Sequence, residues 1–227
     1  MQPFETFIRQ FPDYQNTSLI DDLRRTDYSI LDQQGHVYLD YTGGGLFAAS
    51  QLREHQALLS AHVFGNPHSY NPTSLQSTEL IEQARRFVLE FFNASADEYV
   101  CIFTQNASAA LKIVGESYPF GEGCRYLLTF DNHNSVNGIR EYARAKGASV
   151  TYVPVVLPDL RIDQAQLLNA LHEKSAGCFN LLAFPAQSNF SGVQHPLEWI
   201  AQAQALGWDV LLDAAAFAPT NKLDLSV

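Results

Sequence analysis

The chain lacks the marks of several common binding classes. It has no basic run: 14 lysines and arginines face 24 acidic residues, a formal net charge of −10. Nucleic acids and anionic membranes are held by clustered positive charge, so neither is expected as a partner. No apolar stretch approaches the roughly 18–20 residues of a membrane span. The first residues, Met1 to Glu5, show no basic region followed by an apolar one. No secretory leader is expected, and the chain reads as cytoplasmic. Cysteine is scarce: Cys101, Cys124 and Cys178 are far apart and form no Cys-x-x-Cys pair. Free thiols in a reducing compartment, and no metal site, are the expectation. Also missing are a P-loop, a Gly-x-Ser-x-Gly elbow and a His-Glu-x-x-His helix. Gly121-Glu122-Gly123 fails as a dinucleotide fingerprint, because Tyr126 stands where the third glycine belongs.

What is present is globular. The 227 residues are 46% apolar and 17% charged, enough for a substantial core. From about residue 74 onward, short apolar runs alternate with stretches of helical spacing. Thr73 and Gln76 form a capping-box pattern ahead of Ile81, Ala84, Val88 and Phe91. Strands are predicted over 99–104, 126–130, 150–156, 180–184 and 208–212, with helices over 108–117, 135–146 and 163–172 and another opening at Pro196. Gly147 and Gly207 end two of the helices. Apolar strands separated by helices predict an α/β fold with a mostly parallel sheet covered by helices on both faces. Residues 1–73 read differently, as an N-terminal arm with short helices near 5–10 and 50–61 and a β-like segment over 37–40. The expected division is an arm over 1–73 and an α/β domain over 74–227.

Four polar clusters follow predicted strands, and ligands of open α/β sheets bind at the carboxyl ends of strands. Asn106-Ala107-Ser108 opens a helix whose free N–H groups and dipole suit an anion, though asparagine and serine are also ordinary caps. His133 can stack on a flat heteroaromatic ring or move protons, or simply hold its loop. Asn189 offers both a donor and an acceptor, in a segment rich in turn formers. Asp213 can pair with a protonated ring nitrogen and keep it positive, or fix its own loop. Gly43, Gly44 and Gly45 line a site or make a turn.

Together these residues resemble the class V aminotransferases, fold type I enzymes dependent on pyridoxal phosphate. The likeness is carried by Tyr38-Leu39-Asp40, Gly65-Asn66-Pro67-His68-Ser69, Phe184 to Val193 and Leu211-Leu212-Asp213-Ala214-Ala215. Within that family the sequence is most similar to the desulfurase-like domains of molybdenum cofactor sulfurases. The resemblance implies a pyridoxal 5'-phosphate cofactor, with Asn106, Ala107 and Ser108 on its phosphate. His133 would stack on the ring as the catalytic histidine, Asp213 would pair with the ring nitrogen, and Asn189 would reach the ring oxygen or the substrate. Gly43 to Gly45 would line the substrate side. It further implies an amino-acid substrate, with cysteine desulfuration as the first choice of reaction, and a homodimer. The family's cofactor-bonding lysine and small C-terminal domain are expected to lie beyond Val227, so this stretch alone is expected to be inactive. Ala216 and Tyr41 replace residues common in the desulfurases. Transamination, racemisation, elimination, or a non-catalytic partner-binding fragment are the alternatives.

Overall fold

In the computed structural model, residues 3–41, 43–175 and 177–226 are described. They form two compact units, residues 1–82 and 83–227, the division falling within one long helix. The first unit holds α1 (Pro3–Gln10), a 3-10 turn over Pro12–Thr17, α2 (Ser18–Asp27), α3 (Ser29–Gln33) and α4 (Ala49–Ala61). The β-like turn segment expected over 37–40 has no strand pairing and runs into a turn at Tyr41. Helix α5 (Pro72–Phe91) starts one residue before the expected capping box. Asn71 supplies the cap instead: its Oδ1 accepts from Ser74 N–H at 3.0 Å and from Thr73 Oγ1 at 2.8 Å. Proline at the first helical position needs no N–H partner, which lets the helix begin there. Gly65 packs against this turn. A Cβ on it would come within 2.7 Å of Thr73 Oγ1 and 3.2 Å of Ser74 N, so a larger residue would push on the helix start.

In the second unit the elements are α6 (Ala107–Ser117), β1 (Arg125–Thr129), α7 (Asn134–Asn137), α8 (Ile139–Ala145), β2 (Ser149–Val153), β3 (Val155–Val156), β4 (Arg161–Ile162), α9 (Gln164–His172), β5 (Leu181–Pro185), α10 (Glu198–Ala205) and β6 (Asp209–Asp213). Strands β2-β1-β5-β6 form a four-stranded parallel sheet, and β3-β4 a small antiparallel ribbon. The sheet buries both faces. Tyr126, Leu128, Leu181 and Ala183 meet Leu111, Val136, Ile139 and Ala143 from α6, α7 and α8. Leu127, Leu182 and Phe184 meet Leu167, Leu171, Trp199 and Ala203 from α9 and α10. Successive residues of a strand point to opposite faces, so an unbroken apolar run serves two helix layers at once.

Three expectations need correction. The apolar run 99–104 forms no strand: the sheet stops at β6, and Val100 and Ile102 are 81% and 69% exposed. A strand needs a neighbouring strand to complete its ladder, and no described strand pairs with this run, whose Cys101 carbonyl accepts from the Arg85 side chain instead. The helix expected over 135–146 is two helices meeting at Gly138. The strand expected over 150–156 is divided between β2 and β3.

Candidate active site

Parallel strands send all their carboxyl ends to one edge. In register Leu128 lies beside Ala183, and Ala183 beside Leu211. The exits of β1, β5 and β6 are therefore neighbours there, and they carry His133, Asn189 and Asp213. Strands lie about 4.8 Å apart, so the β1 and β6 exits are separated by roughly 10 Å. A flat ring fits across that width.

The β1 exit is pinned to β5. Asn132 Nδ2 donates to Thr129 O at 2.8 Å, to Thr129 Oγ1 at 3.0 Å and to Ala183 O at 3.1 Å. Asp131 adds two more ties. Its Oδ2 lies 2.8 Å from His195 Nε2, both side chains almost wholly buried, and its carbonyl accepts from Ser188 Oγ at 3.3 Å. His195 stacks on Trp199. Asp131, Asn132 and Ser188 stand in the polar clusters that follow these strands, with no individual role assigned from sequence; His195 lies outside those clusters. The available signal was polar residues at the ends of fully apolar strands, where burial is costly unless each is hydrogen-bonded.

Among the predicted residues, His133 and Asn189 line one cavity of about 880 Å³, together with Asn137, Arg140, Tyr152 and Phe190. Arg140 donates to Tyr152 Oη at 3.1 Å and to Glu141 at 2.9 Å, and these bonds raise its pKa above the ordinary arginine value. Ser108 and Asp213 do not line this cavity. Ser108 is nevertheless joined to His133: Ser108 Oγ is 2.6 Å from Ser135 Oγ, which is 3.0 Å from His133 Nδ1.

Asn106 proves to be the cap of α6, its Oδ1 accepting from Ala109 N–H at 2.9 Å. That occupies the acceptor and leaves its NH₂. The N–H groups of Ala107 and Ser108 have no partner within a helix that starts at Ala107. These donors, the Ser108 hydroxyl and the helix dipole make a donor set that fits a phosphate. Asp213 Oδ1 accepts from Ala215 N–H at 3.0 Å, and among the described residues Oδ2 has no hydrogen-bond partner. A free carboxylate oxygen at a strand exit fits a protonated ring nitrogen. The residues present therefore fit a phosphorylated pyridine.

Gly43 to Gly45 belong to the first unit. There Asp40 Oδ1 accepts from Gly43 N–H at 3.1 Å and Tyr38 Oη donates to Gly44 O at 2.7 Å. A Cβ on Gly43 would meet the Asp40 carboxylate, so any side chain there would displace that carboxylate from its bond to the Gly43 N–H. Among the described residues no cluster of metal-ligating side chains occurs, and no helix is long and apolar enough to cross a membrane.

The family model for class-V aminotransferases matches residues 37–227. Molybdenum cofactor sulfurase of Arabidopsis thaliana is 36% identical over 98% of this chain and 31% of its own length. The chain thus spans about a third of the length of that relative. Among solved structures, the apo cysteine desulfurase of Thermococcus onnurineus aligns with a TM-score of 0.71 at 22% identity, covering 90% of this chain and 50% of that one. A variant of C-DES with glycine covalently linked to its PLP cofactor aligns with a TM-score of 0.66 at 22% identity, covering 83% and 49%. At these identities the structural likeness speaks for the fold.

Proposed function

The chain belongs to the class-V aminotransferase family, and from that premise we propose that it is the cofactor-binding α/β part of a pyridoxal-phosphate-dependent enzyme of the cysteine desulfurase or sulfurase type. The observation that carries this reading is the meeting of the β1, β5 and β6 exits, with His133, Asn189 and Asp213, at one sheet edge. Ala107 and Ser108 hold the cofactor phosphate through N–H groups and a hydroxyl. His133 stacks its imidazole against the ring. Asp213 accepts a hydrogen bond from the ring nitrogen and keeps it protonated, since a neighbouring negative charge favours the charged form of a base. Asn189 orients the ring oxygen or the incoming amino acid through its amide. The bound cofactor supplies an electron sink for the bond broken at the substrate's α-carbon. Covalent attachment of the cofactor, which the family makes through a lysine, is assigned to none of Lys112, Lys146, Lys174 or Lys222. Cysteine is the proposed substrate, and a cytoplasmic homodimer the proposed form of the whole protein.

The test is a titration with pyridoxal phosphate followed by absorbance. Wild-type chain should bind it noncovalently, and D213N should weaken binding about tenfold, as loss of a charge-assisted hydrogen bond requires. Equal affinity in the two proteins would remove Asp213 from the site.

A further inference from the structure

Ser135 lies in the first turn of the short helix α7 and touches two of the proposed site residues at once. Its Oγ lies 2.6 Å from Ser108 Oγ and 3.0 Å from His133 Nδ1, while its backbone N–H donates to the same Nδ1 at 3.2 Å. A backbone N–H only donates, so Nδ1 is an acceptor and the neutral imidazole carries its proton on Nε2. The two hydroxyls bring one proton each. At 2.6 Å the two oxygens need a proton between them. Without a ligand, the protons run from Ser108 to Ser135 and from Ser135 to Nδ1. A phosphate at Ser108 changes the direction. Its unprotonated oxygens only accept, so Ser108 turns its proton outward to meet one of them. Ser135 must then give its own proton to Ser108 Oγ, and Nδ1 loses that bond and keeps only the backbone N–H.

We propose that Ser135 is a positioning residue that couples filling of the anion subsite at Ser108 to the hydrogen bonding of His133. This rests on the reading that Ser108 holds the cofactor phosphate, and it extends that reading to a residue with no assigned role. Three links, from anion to Ser108, Ser108 to Ser135 and Ser135 to His133, share two hydroxyl protons, so occupancy at one end is felt at the other. Ser108 and His133 are both exposed, which leaves the pair open to a ligand. The consequence is a site that distinguishes a phosphorylated ring from an unphosphorylated one by the state of the imidazole stacked on it. An unphosphorylated ring leaves the Ser135 hydroxyl donating to Nδ1.

The experiment follows the imidazole nitrogens by ¹⁵N NMR of histidine-labelled chain while inorganic phosphate is added. The His133 signals are assigned by their loss in H133Q, and phosphate binding is measured in parallel by calorimetry. In wild type, phosphate should shift the Nδ1 resonance. S135A should still bind phosphate but lose the Nδ1 response, and S135T, which keeps the hydroxyl, should regain it. A response in S135A equal to wild type overturns the coupling while leaving the phosphate subsite intact. Loss of phosphate binding in S135A that S135T does not restore makes Ser135 merely structural and also overturns it. Wild type that binds no phosphate removes the Ser108 subsite and the coupling together.

Discussion

At the scale of single residues, the site depends on buried polar contacts more than on the residues that would meet a ligand. The Asp131–His195 pair is the clearest case. Both side chains are almost wholly out of water, and Asp131 Oδ1 has no hydrogen-bond partner among the described residues. His195 is thus the sole side-chain partner described for that carboxylate. H195A should destabilise the chain by about 2 kcal/mol, measured by urea denaturation, because a buried acceptor is left unmade. It should also loosen His133, since Asp131 ties the β1 exit to the segment that carries Asn189. A stability change within experimental error would mean that water replaces the imidazole without loss. Gly147 is a backbone counterpart. It ends α8 at φ +87°, with Ala148 N–H reaching back to Ala143 O at 2.9 Å. An L side chain disfavours that region, so G147A should cost about 1–2 kcal/mol in the same assay.

At the scale of elements, helix starts are where local chemistry and the sheet meet. Asp163 caps α9, its carboxylate accepting from Ala165 N–H at 2.8 Å and Gln166 N–H at 3.2 Å. The bond from the Gln166 backbone, then that from its side chain, hold the Asp163 carboxyl below the ordinary value. A depressed carboxyl adds stability above its unfolded pKa and loses it as pH falls through the folded one. Amide-exchange protection in the first turn of α9 should therefore be full near neutrality and decline in the acid range below the ordinary carboxylate pKa. D163N retains an acceptor but has no charge to lose, so its protection should be flat across that window. A wild-type profile as flat as that of D163N would dismiss the charged cap. Asn106 and Asn71 serve the same end with neutral acceptors.

At the scale of the second unit, stability rests on a sheet that is buried twice. Leu128 and Leu182 are completely buried on opposite faces, in separate apolar clusters. L128A and L182A should each lower unfolding free energy by about 2–5 kcal/mol, through lost burial plus the cavity left behind. V100S should change it by no more than about 0.5 kcal/mol, because an exposed side chain has little packing to lose. Tight coupling of Val100 to stability would show that the run over 99–104 is covered in solution. The sheet's parallel order is also what brings the proposed site residues to one edge: an antiparallel neighbour would send one of the three exits to the opposite edge.

Much of this was legible from residue order alone. Apolar runs of five residues between helical stretches announced parallel strands, and Arg125–Thr129, Leu181–Pro185 and Asp209–Asp213 all formed within a residue of expectation. The polar clusters after them were visible for the same reason, since a polar group at the end of an apolar run must leave the core. Pairing was not legible. Strand propensity is satisfied only by a neighbour, so the run over 99–104 looked like β1 yet found no place in the sheet. Nor did residue order reveal that Asp131 would face His195 across 64 positions, or that Ser135 would stand between Ser108 and His133. Local pattern sets which segments are buried and where they turn. Which exits become neighbours, and which hydroxyl touches which imidazole, depends on strand order and register, and these are decided only when the whole sheet closes around its two cores.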